Sequence, residues 1–393
     1  MHTRVALAAG LTAVCLTVPA HGATVYVPSQ QPTIQAGIDA AGDGGTVYVA
    51  PSIYTGPGNR VLDFGGANVT LESTGGAAST VIDCGGSYRG FYFHTGEDTT
   101  CVIEGFTVRN CDGDYGGAVR CQGASPTFRN CVFTSNEASS GGGVLHADSS
   151  SGPRLEACVL TGNSANVFGG ALYMEGSTGR VRNCSFDANT SGNWGGAVHL
   201  KSIAETTFED CDFRGNTATW GGAVYSVDAE SAFERCTFVA NEATWGGGVY
   251  IQTSYNQPRF KRCTFVDNGG GTIYCMDGYP IITQSILALD RTRSAVSCVG
   301  IGEPEISHCY VFGNAGGDSL CGSHANNAFE DPLLCGVPLG DVGLCDNSPC
   351  LPGLNPWGEH IGALMDGCGA CNSPVNYTSW GLLKASYARP SSL

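Results

Sequence analysis

Large apolar residues recur along this chain at spacing two, in short runs broken by glycine and asparagine, and the runs themselves return about every 26 residues. Each repeat places an apolar residue (Phe128, Leu155, Val181, Phe208, Phe233, Phe260, Ile306) three positions before a cysteine, with polar residues between almost throughout. A second apolar residue follows the cysteine by two positions and an asparagine by five. The register runs Cys131/Phe133/Asn136, Cys158/Leu160/Asn163, Cys184/Phe186/Asn189, Cys211/Phe213/Asn216, Cys236/Phe238/Asn241, Cys263/Phe265/Asn268 and Cys309/Val311/Asn314. Successive cysteines up to Cys263 lie 27, 26, 27, 25 and 27 residues apart. The longer step to Cys309 contains a degenerate copy, Ser285, Leu287 and Asp290. Interleaved with this register, Gly-Gly-(Ala/Gly)-(Val/Leu) begins at Gly116, Gly141, Gly169, Gly195, Gly221 and Gly246. Spacing two among Phe and Val predicts strands, the Gly and Asn between them predict tight turns, and nothing in the repeat has helical period.

A coil of this length built only from strands and turns is a right-handed parallel β-helix, in which each strand pairs with its counterpart one coil on at about 4.8 Å. The expected fold class is therefore all-β, a single-stranded solenoid of about 26 residues per coil. In this reading the asparagines sit at a bend in left-handed backbone and bond amide to amide between coils, while the glycines turn the other corner with positive φ. One repeat cannot bury its own apolar face, so the ends need covers. Thr33–Ala41, between Pro32 and Gly42, is the one convincing helix and the natural N-terminal lid. Strands are expected at Thr24–Val27, Thr46–Val49, Val69–Leu71, Thr80–Ile82 and Phe91–Phe93, as irregular early coils before a regular array from Ile103. Residues 23–330 then form the β-helix, the Cys/Gly/Pro-rich residues 331–373 a disulfide-tied C-terminal cap, and residues 374–393 a tail.

Composition narrows the function. With a net charge of −16 and only 14% charged residues, the chain has no basic stripe to neutralise phosphates, which argues against nucleic acid. Residues 1–22 read as a signal peptide: Arg4 at the start, an apolar stretch Val5–Val18, and a small-x-small site Ala20-His21-Gly22. Cys15 follows Val14, where a lipid-anchoring signal wants a small residue, so lipidation is not expected. No later run reaches the ~18 apolar residues of a transmembrane helix. The mature chain is expected to be exported, extracellular or associated with the cell surface or outer membrane. In an oxidising compartment cysteines pair, yet the ladder cysteines alternate with inward phenylalanines and are expected as buried thiols. Cys321, Cys335, Cys345, Cys350, Cys368 and Cys371 are expected in disulfides. Cys368-Gly-Ala-Cys371 has zinc-knuckle spacing without a second such pair, so no metal site is assigned.

Gly-Gly-Ala-(Val/Leu) alternating with Phe-x-x-Asn, as in Gly195-Gly196-Ala197-Val198 and Phe213-Arg214-Gly215-Asn216, resembles the repeats of chlamydial polymorphic outer-membrane proteins over roughly Ile103 to Asn314. The resemblance implies an exported β-helix associated with adhesion, although the membrane barrel that follows in that family is not expected from these residues. The stretch TIQAGIDAAGDGGTVYVAPSIYTG also resembles the start of many pectate-lyase-like secreted proteins, a superfamily that includes polysaccharide lyases and hydrolases.

A lyase of that kind needs clustered carboxylates holding calcium and a basic residue to take the proton. The position two before each ladder cysteine reads Arg129, Glu156, Arg182, Glu209, Glu234 and Lys261, mostly alternating charges that predict cross-coil ion pairs. Asp187, Glu209, Asp210 and Asp212, followed by Arg214, are the one local concentration of acid and the weak catalytic or calcium candidates. Asp112-Gly113-Asp114 lacks the later ligands of a calcium loop and reads as a turn. The histidines do not recur at one phase. The more distinctive feature is aromatic. Tyr115, Phe168, Trp194, Trp220 and Trp245 stand immediately before the double glycine, with Ser140 the exception, and should stack into a ribbon. Four residues after the first glycine, Arg120, Leu145, Tyr173, His199, Tyr225 and Tyr250 form a second column that period two sends outward. Such columns fit structural stacking and also fit a glycan platform, where flat rings meet apolar sugar faces. The reading that follows is a non-catalytic surface or extracellular module that binds polysaccharide or host-cell glycan through Tyr115, Phe168, Trp194, Trp220, Trp245, Tyr225 and Tyr250. It needs no cofactor, with calcium left open. The alternatives are a polysaccharide lyase or glycoside hydrolase, and a structural spacer.

Overall fold

The computed structural model describes residues 22–148, 150–202, 204–253, 256–337, 341–364 and 368–371. Residues 1–21 of the expected signal peptide and the tail 374–393 lie outside the described residues. The chain winds into a right-handed parallel β-helix whose coils contribute to three long parallel sheets of 13, 11 and 10 strands. In one representative coil, Thr207–Glu209 belongs to the first sheet, Asp212–Arg214 to the second and Val224–Val227 to the third. A short four-stranded sheet, starting at Asp112–Tyr115, runs along the corner between the second and third. Among the described residues no helix is long and apolar enough to cross a membrane.

The period-two pattern places the middle residue of each short strand inside. Phe186, Phe213, Phe238 and Phe265 stack down the second sheet with ring centroids 4.7, 4.8 and 4.4 Å apart and planes within 7°. Phe208, Phe233 and Phe260 do the same in the first, at 4.7 and 4.9 Å. Each is buried, and burying one such ring contributes about 1.5–3 kcal/mol.

The helix runs Ile34–Ala41, one residue shorter than expected, because Thr33 is its N-cap and accepts from the Ala36 N–H at 3.2 Å. Ile34, Ile38 and Ala41 join Val25, Val27 and Val47 in the core, which makes the helix the lid of the first coil. In the early coils Thr24–Val27, Thr46–Val49 and Thr70–Ser73 pair in full register, but the steps between the paired residues Thr24, Thr46, Thr70 and Val102 are an uneven 22, 24 and 32, so these coils are irregular in length as expected.

The asparagine column also corrects the expectation. The left-handed residues are Ser135, Gly162, Ala188, Gly215, Ala240 and Asp267, each one position before an asparagine, and Asn136 to Asn268 point inward, almost completely buried. Each Asn Nδ2 donates to the next asparagine's Oδ1 at 3.0–3.1 Å, from Asn136 to Asn268, and to a carbonyl of the preceding coil. Each Oδ1 also accepts a backbone N–H of the preceding coil, as Asn241 does from Asn216. The column begins at a disulfide the sequence did not suggest, Cys84–Cys111, where the Cys111 N–H donates to Asn136 Oδ1.

Two glycines at the other corner are needed for different reasons. The first, such as Gly221, has φ of 69°. The second, such as Gly222, has no such φ, but a Cβ there would lie 2.4 Å from the carbonyl oxygen of Gly247 in the next coil.

Cys131, Cys158, Cys184, Cys211, Cys236, Cys263 and Cys309 are free and buried. Burial raises the thiol pKa at Cys131, Cys158, Cys184, Cys211 and Cys236, and up to about 12 at Cys309. Cys321 forms its expected disulfide with Cys298 of the solenoid, and the expectation is corrected at one position, Cys350, which is a buried thiol. Cys335–Cys368 and Cys345–Cys371 are disulfides. The segment that carries them lies along the side of the solenoid. Val342 packs on Val239 and Val266 of the second sheet, and Leu344, Cys350 and Ile361 pack on Ile286, Ala288 and Tyr310. Ala363 N–H donates to Thr264 Oγ1 at 2.9 Å and Gly362 N–H to the Gln284 carbonyl at 2.8 Å, so the segment straps successive coils together.

Candidate functional site

The acidic group does not converge. Glu209 lies on the outer face of the first sheet, where Arg180 and Arg182 hold it at 2.9 and 2.6 Å. Burial alone would raise its pKa, but hydrogen bonds from Arg182 and Arg180 outweigh that and hold it below the ordinary glutamate value. Asp210 occupies the left-handed turn between the first two sheets and receives both Nε and Nη2 of Arg235, at 2.6 and 2.9 Å. Those hydrogen bonds lower its pKa. Asp212, Asp187 and Arg214 lie on the outer face of the second sheet, with Asp187 opposite Arg214 in register and Asp212 accepting from the Thr237 hydroxyl. The group is thus divided by a turn, and its two most strongly held carboxylates are neutralised by arginine. The expected cross-coil ion pairs are present, Arg129 to Glu156 at 2.7 Å among them. An open recess of about 330 Å³ beside the Cys84–Cys111 disulfide is lined by Asn110, Asp112 and Glu137. Asp112-Gly113-Asp114, expected as a turn, lies instead in the strand Asp112–Tyr115, and Asp114 accepts from the Ser139 hydroxyl of the next coil at 2.9 Å.

The aromatic residues do converge, into a layer two columns wide. In the outer column Gly141, Phe168, Trp194, Trp220 and Trp245 pair in parallel register from coil to coil. Phe168 and Trp194 stack at 5.3 Å with planes 14° apart, and Trp194 and Trp220 at 5.8 Å and 21°. Tyr115 and these four rings are half-buried. The inner column runs Arg120, His146, Tyr173, His199, Tyr225, Tyr250 and Tyr274 on the outer face of the third sheet. From His146 on, its neighbouring rings lie 4.7–5.1 Å apart.

Two expectations change here. The repeat at Gly141 carries an extra residue, so the positive-φ glycine is Gly142, the gap in the outer column is Gly141, and Leu145 points inward where His146 faces out. The signal was in the spacing: from Gly116 to Gly141 to Gly169 is an uneven 25 and 28, whereas Gly142 gives 26 and 27. Second, Tyr225 and Tyr250 are outside the coil but not exposed, at 6% each, because the outer column folds over them. Phe168 lies 5.0 Å from Tyr173, Trp194 6.2 Å from Tyr225, and Trp245 5.1 Å from Tyr274. Tyrosine hydroxyls reach polar partners at the far edge, Tyr225 to Gln252 at 2.6 Å and Tyr173 to Glu175 at 2.8 Å.

His146 and His199, 3% and 2% exposed, sit among these rings and neither ring nitrogen of either finds a hydrogen-bond partner among the described residues. Burial first, then Arg120 for His146 and Lys201 for His199, depresses both to about 3, so they are neutral near pH 7 and too weakly basic to take a proton from substrate. The end of the layer is closed by Arg293, whose guanidinium lies 3.8 Å from the Trp245 ring centroid, a partner the repeat did not suggest.

Comparison with known proteins returns no match among curated sequences. Among solved structures, the chain is similar to the catalytic unit of a GH87 α-1,3-glucanase from Streptomyces thermodiastaticus at 14% identity and TM-score 0.33, covering 95% of this chain and 71% of that one. The A-module of a mannuronan C-5 epimerase from Azotobacter vinelandii aligns at 14% identity and TM-score 0.29, covering 76% and 94%. Likenesses so remote carry no chemistry across. A family model described as the right-handed β-helix region matches residues 117–288 and again 170–332, together more than half the chain. With its register, inward ladder and glycine corners, the chain belongs to the right-handed β-helix family.

Proposed function

We propose that the chain is an exported, non-catalytic interaction module that binds glycan along the half-exposed edge of its outer aromatic column. The observation that carries this reading is the run Phe168, Trp194, Trp220 and Trp245, one half-exposed ring per coil in unbroken register. Such a strip offers apolar faces at the ~4.8 Å coil rise. Neutral hydrogen-bonding side chains stand beside it at Asn193, Thr219 and Thr244, suited to hydroxyl-rich partners. The separation of Glu209 and Asp210 from Asp187 and Asp212 supports the non-catalytic part. Four disulfides fit an oxidising compartment.

The test is a polysaccharide array followed by titration of the best oligosaccharide, read by tryptophan fluorescence, with and without calcium and with product analysis. Saturable binding that protects the indoles from acrylamide and disappears in the triple variant W194A/W220A/W245A is expected. Binding unchanged in that variant would remove the strip from consideration. Release of shortened or unsaturated product would favour the alternative, a polysaccharide lyase or glycoside hydrolase using Asp187, Asp212 and Arg214, which share the outer face of the second sheet. Absence of any ligand would leave the spacer.

A further inference from the structure

The four cysteines of the lateral C-terminal segment are drawn together more closely than two separate disulfides require. Cys335 bonds Cys368 and Cys345 bonds Cys371, yet Cys345 Sγ is also 3.7 Å from Cys368 Sγ, and Cys368 Sγ is 4.0 Å from Cys371 Sγ. The sulfurs of Cys335, Cys345 and Cys368 all lie within 4.8 Å of one another. A tetrahedral zinc with four thiolates at about 2.3 Å has sulfur–sulfur edges of about 3.8 Å. The cross-contacts between the two disulfides already have that length.

The backbone holds the cysteine loops together without help from sulfur. Cys371 N–H donates to Asn347 Oδ1 at 2.9 Å, and Asn347 Nδ2 donates to the Cys371 carbonyl at 3.0 Å. Asp346 N–H donates to the Gly369 carbonyl at 3.0 Å, and Cys345 N–H to that of Leu333 at 2.9 Å. Gly369, inside Cys368-Gly-Ala-Cys371, has φ of 74°, the left-handed turn that folds the knuckle back toward the Cys345 loop. These bonds fasten the Cys371 knuckle and the stretch before Cys335 to the Cys345 loop, so opening both disulfides leaves Cys335, Cys345 and Cys368 gathered together, with Cys371 beside Cys345 and Cys368 as the fourth thiol. Among the described residues, the eleven free cysteines offer no comparable site, being buried, most of them spaced one to a coil.

We propose that Cys335, Cys345, Cys368 and Cys371 form a convertible site: two disulfides when oxidised, and a four-thiolate site for a thiophilic divalent cation such as zinc when reduced. Two equivalents of a dithiol supply the four electrons and four protons that open the two bonds, each dithiol closing to its own disulfide. The resulting thiols lose their protons to solvent as the cation binds. In either state the segment that straps the second sheet stays folded.

The experiment uses the whole chain. After anaerobic reduction with a dithiol and removal of reductant, cobalt(II) is titrated and the thiolate-to-cobalt charge-transfer absorption recorded, with zinc competition and zinc content by mass spectrometry. One equivalent per chain, displaced by zinc and absent in C368S/C371S, is expected. Because that variant could fail to fold, the wild type is also alkylated with and without zinc and mapped by peptide mass. Zinc should protect these four cysteines and chelator should expose them. Reduced protein, with all four thiols confirmed by mass, that takes up no cobalt or gains no protection would overturn the proposal. So would binding that persists in a folded C368S/C371S.

Discussion

Two columns flank the short corner sheet, asparagines before it and aromatic rings after it, and they invert the usual placement of polar and apolar groups. Asn136 to Asn268 are inside, exposed by 1% or less, whereas Tyr115, Phe168, Trp194, Trp220 and Trp245 are outside and half-exposed. The difference is one of satisfaction. An asparagine amide has two donors and an acceptor oxygen, and for Asn216 the coils above and below supply a partner to every one, so burial leaves nothing unmet. An aromatic ring asks only for contact, which its neighbours in two columns provide on part of its surface. A repeat decides location by what the adjacent copies offer, not by the polarity of one residue.

Breaking the polar column should have the larger effect of single substitutions in the two columns. Asn216→Ala removes the acceptor of the Asn189 N–H and Nδ2 and the donor to the Phe186 carbonyl and Asn241 Oδ1. At ~1–3 kcal/mol for a buried group left unsatisfied, with some relaxation, a loss of about 3 kcal/mol is expected in chemical denaturation. A loss under about 1 kcal/mol would mean that the column is not what holds this corner.

Much of this was readable before the structure. Seven copies of Cys-x-Φ-x-x-Asn, where Φ is apolar, gave coil length, inward ladder and sheet register, because in a solenoid identical positions stack and each copy reports on the next. What escaped was whatever one copy does alone or whatever a distant segment adds. The extra residue at Gly141 moved His146 into the outward column in place of Leu145. Cys111 stands where later coils have asparagine and Cys84 one position earlier in register, so the spacing of the ladder cysteines did not reveal their bond. Residues 331–364 have no repeat, and nothing local said that they lie along the second sheet instead of over its end. For the candidate site, the strip's phase was legible but its depth was not. Period two separates inside from outside, yet it cannot say that Trp194 folds over Tyr225.

The histidines sharpen the comparison, because they are polar groups placed in the aromatic layer without the partners that asparagine receives. Their pKa near 3 in the fold, against about 6.5 unfolded, means their contribution is full above pH 6.5 and is lost as pH falls toward 3. The slope is about 1.4 kcal/mol per pH unit for each imidazole within that window. Wild type should therefore lose stability between pH 6 and 4.5 faster than H146F/H199F, measured as denaturation midpoints at each pH. Carboxylates such as Glu209 and Asp210, held low by arginine, are common to both proteins and cancel in the difference. Parallel pH profiles would show that the imidazoles reach water or a partner in solution.

The smallest effect belongs to the outer column itself. Trp220 stacks on Trp194 at 5.8 Å on one side and pairs in register with Trp245 on the other, but its ring remains partly in water. Trp220→Ala should cost about 1–2 kcal/mol, well below the cost for a fully buried aromatic, since only the contacting part of the ring loses partners. The loss should be smaller than that of Asn216→Ala in the same coil under the same conditions. It should also be smaller than that of Phe213→Ala, where a 0% exposed ring leaves a cavity between Phe186 and Phe238. If Trp220→Ala instead matched Phe213→Ala, the outer column would be a second core, the inversion between the two columns would vanish, and the strip would have too little free ring surface left to hold a glycan.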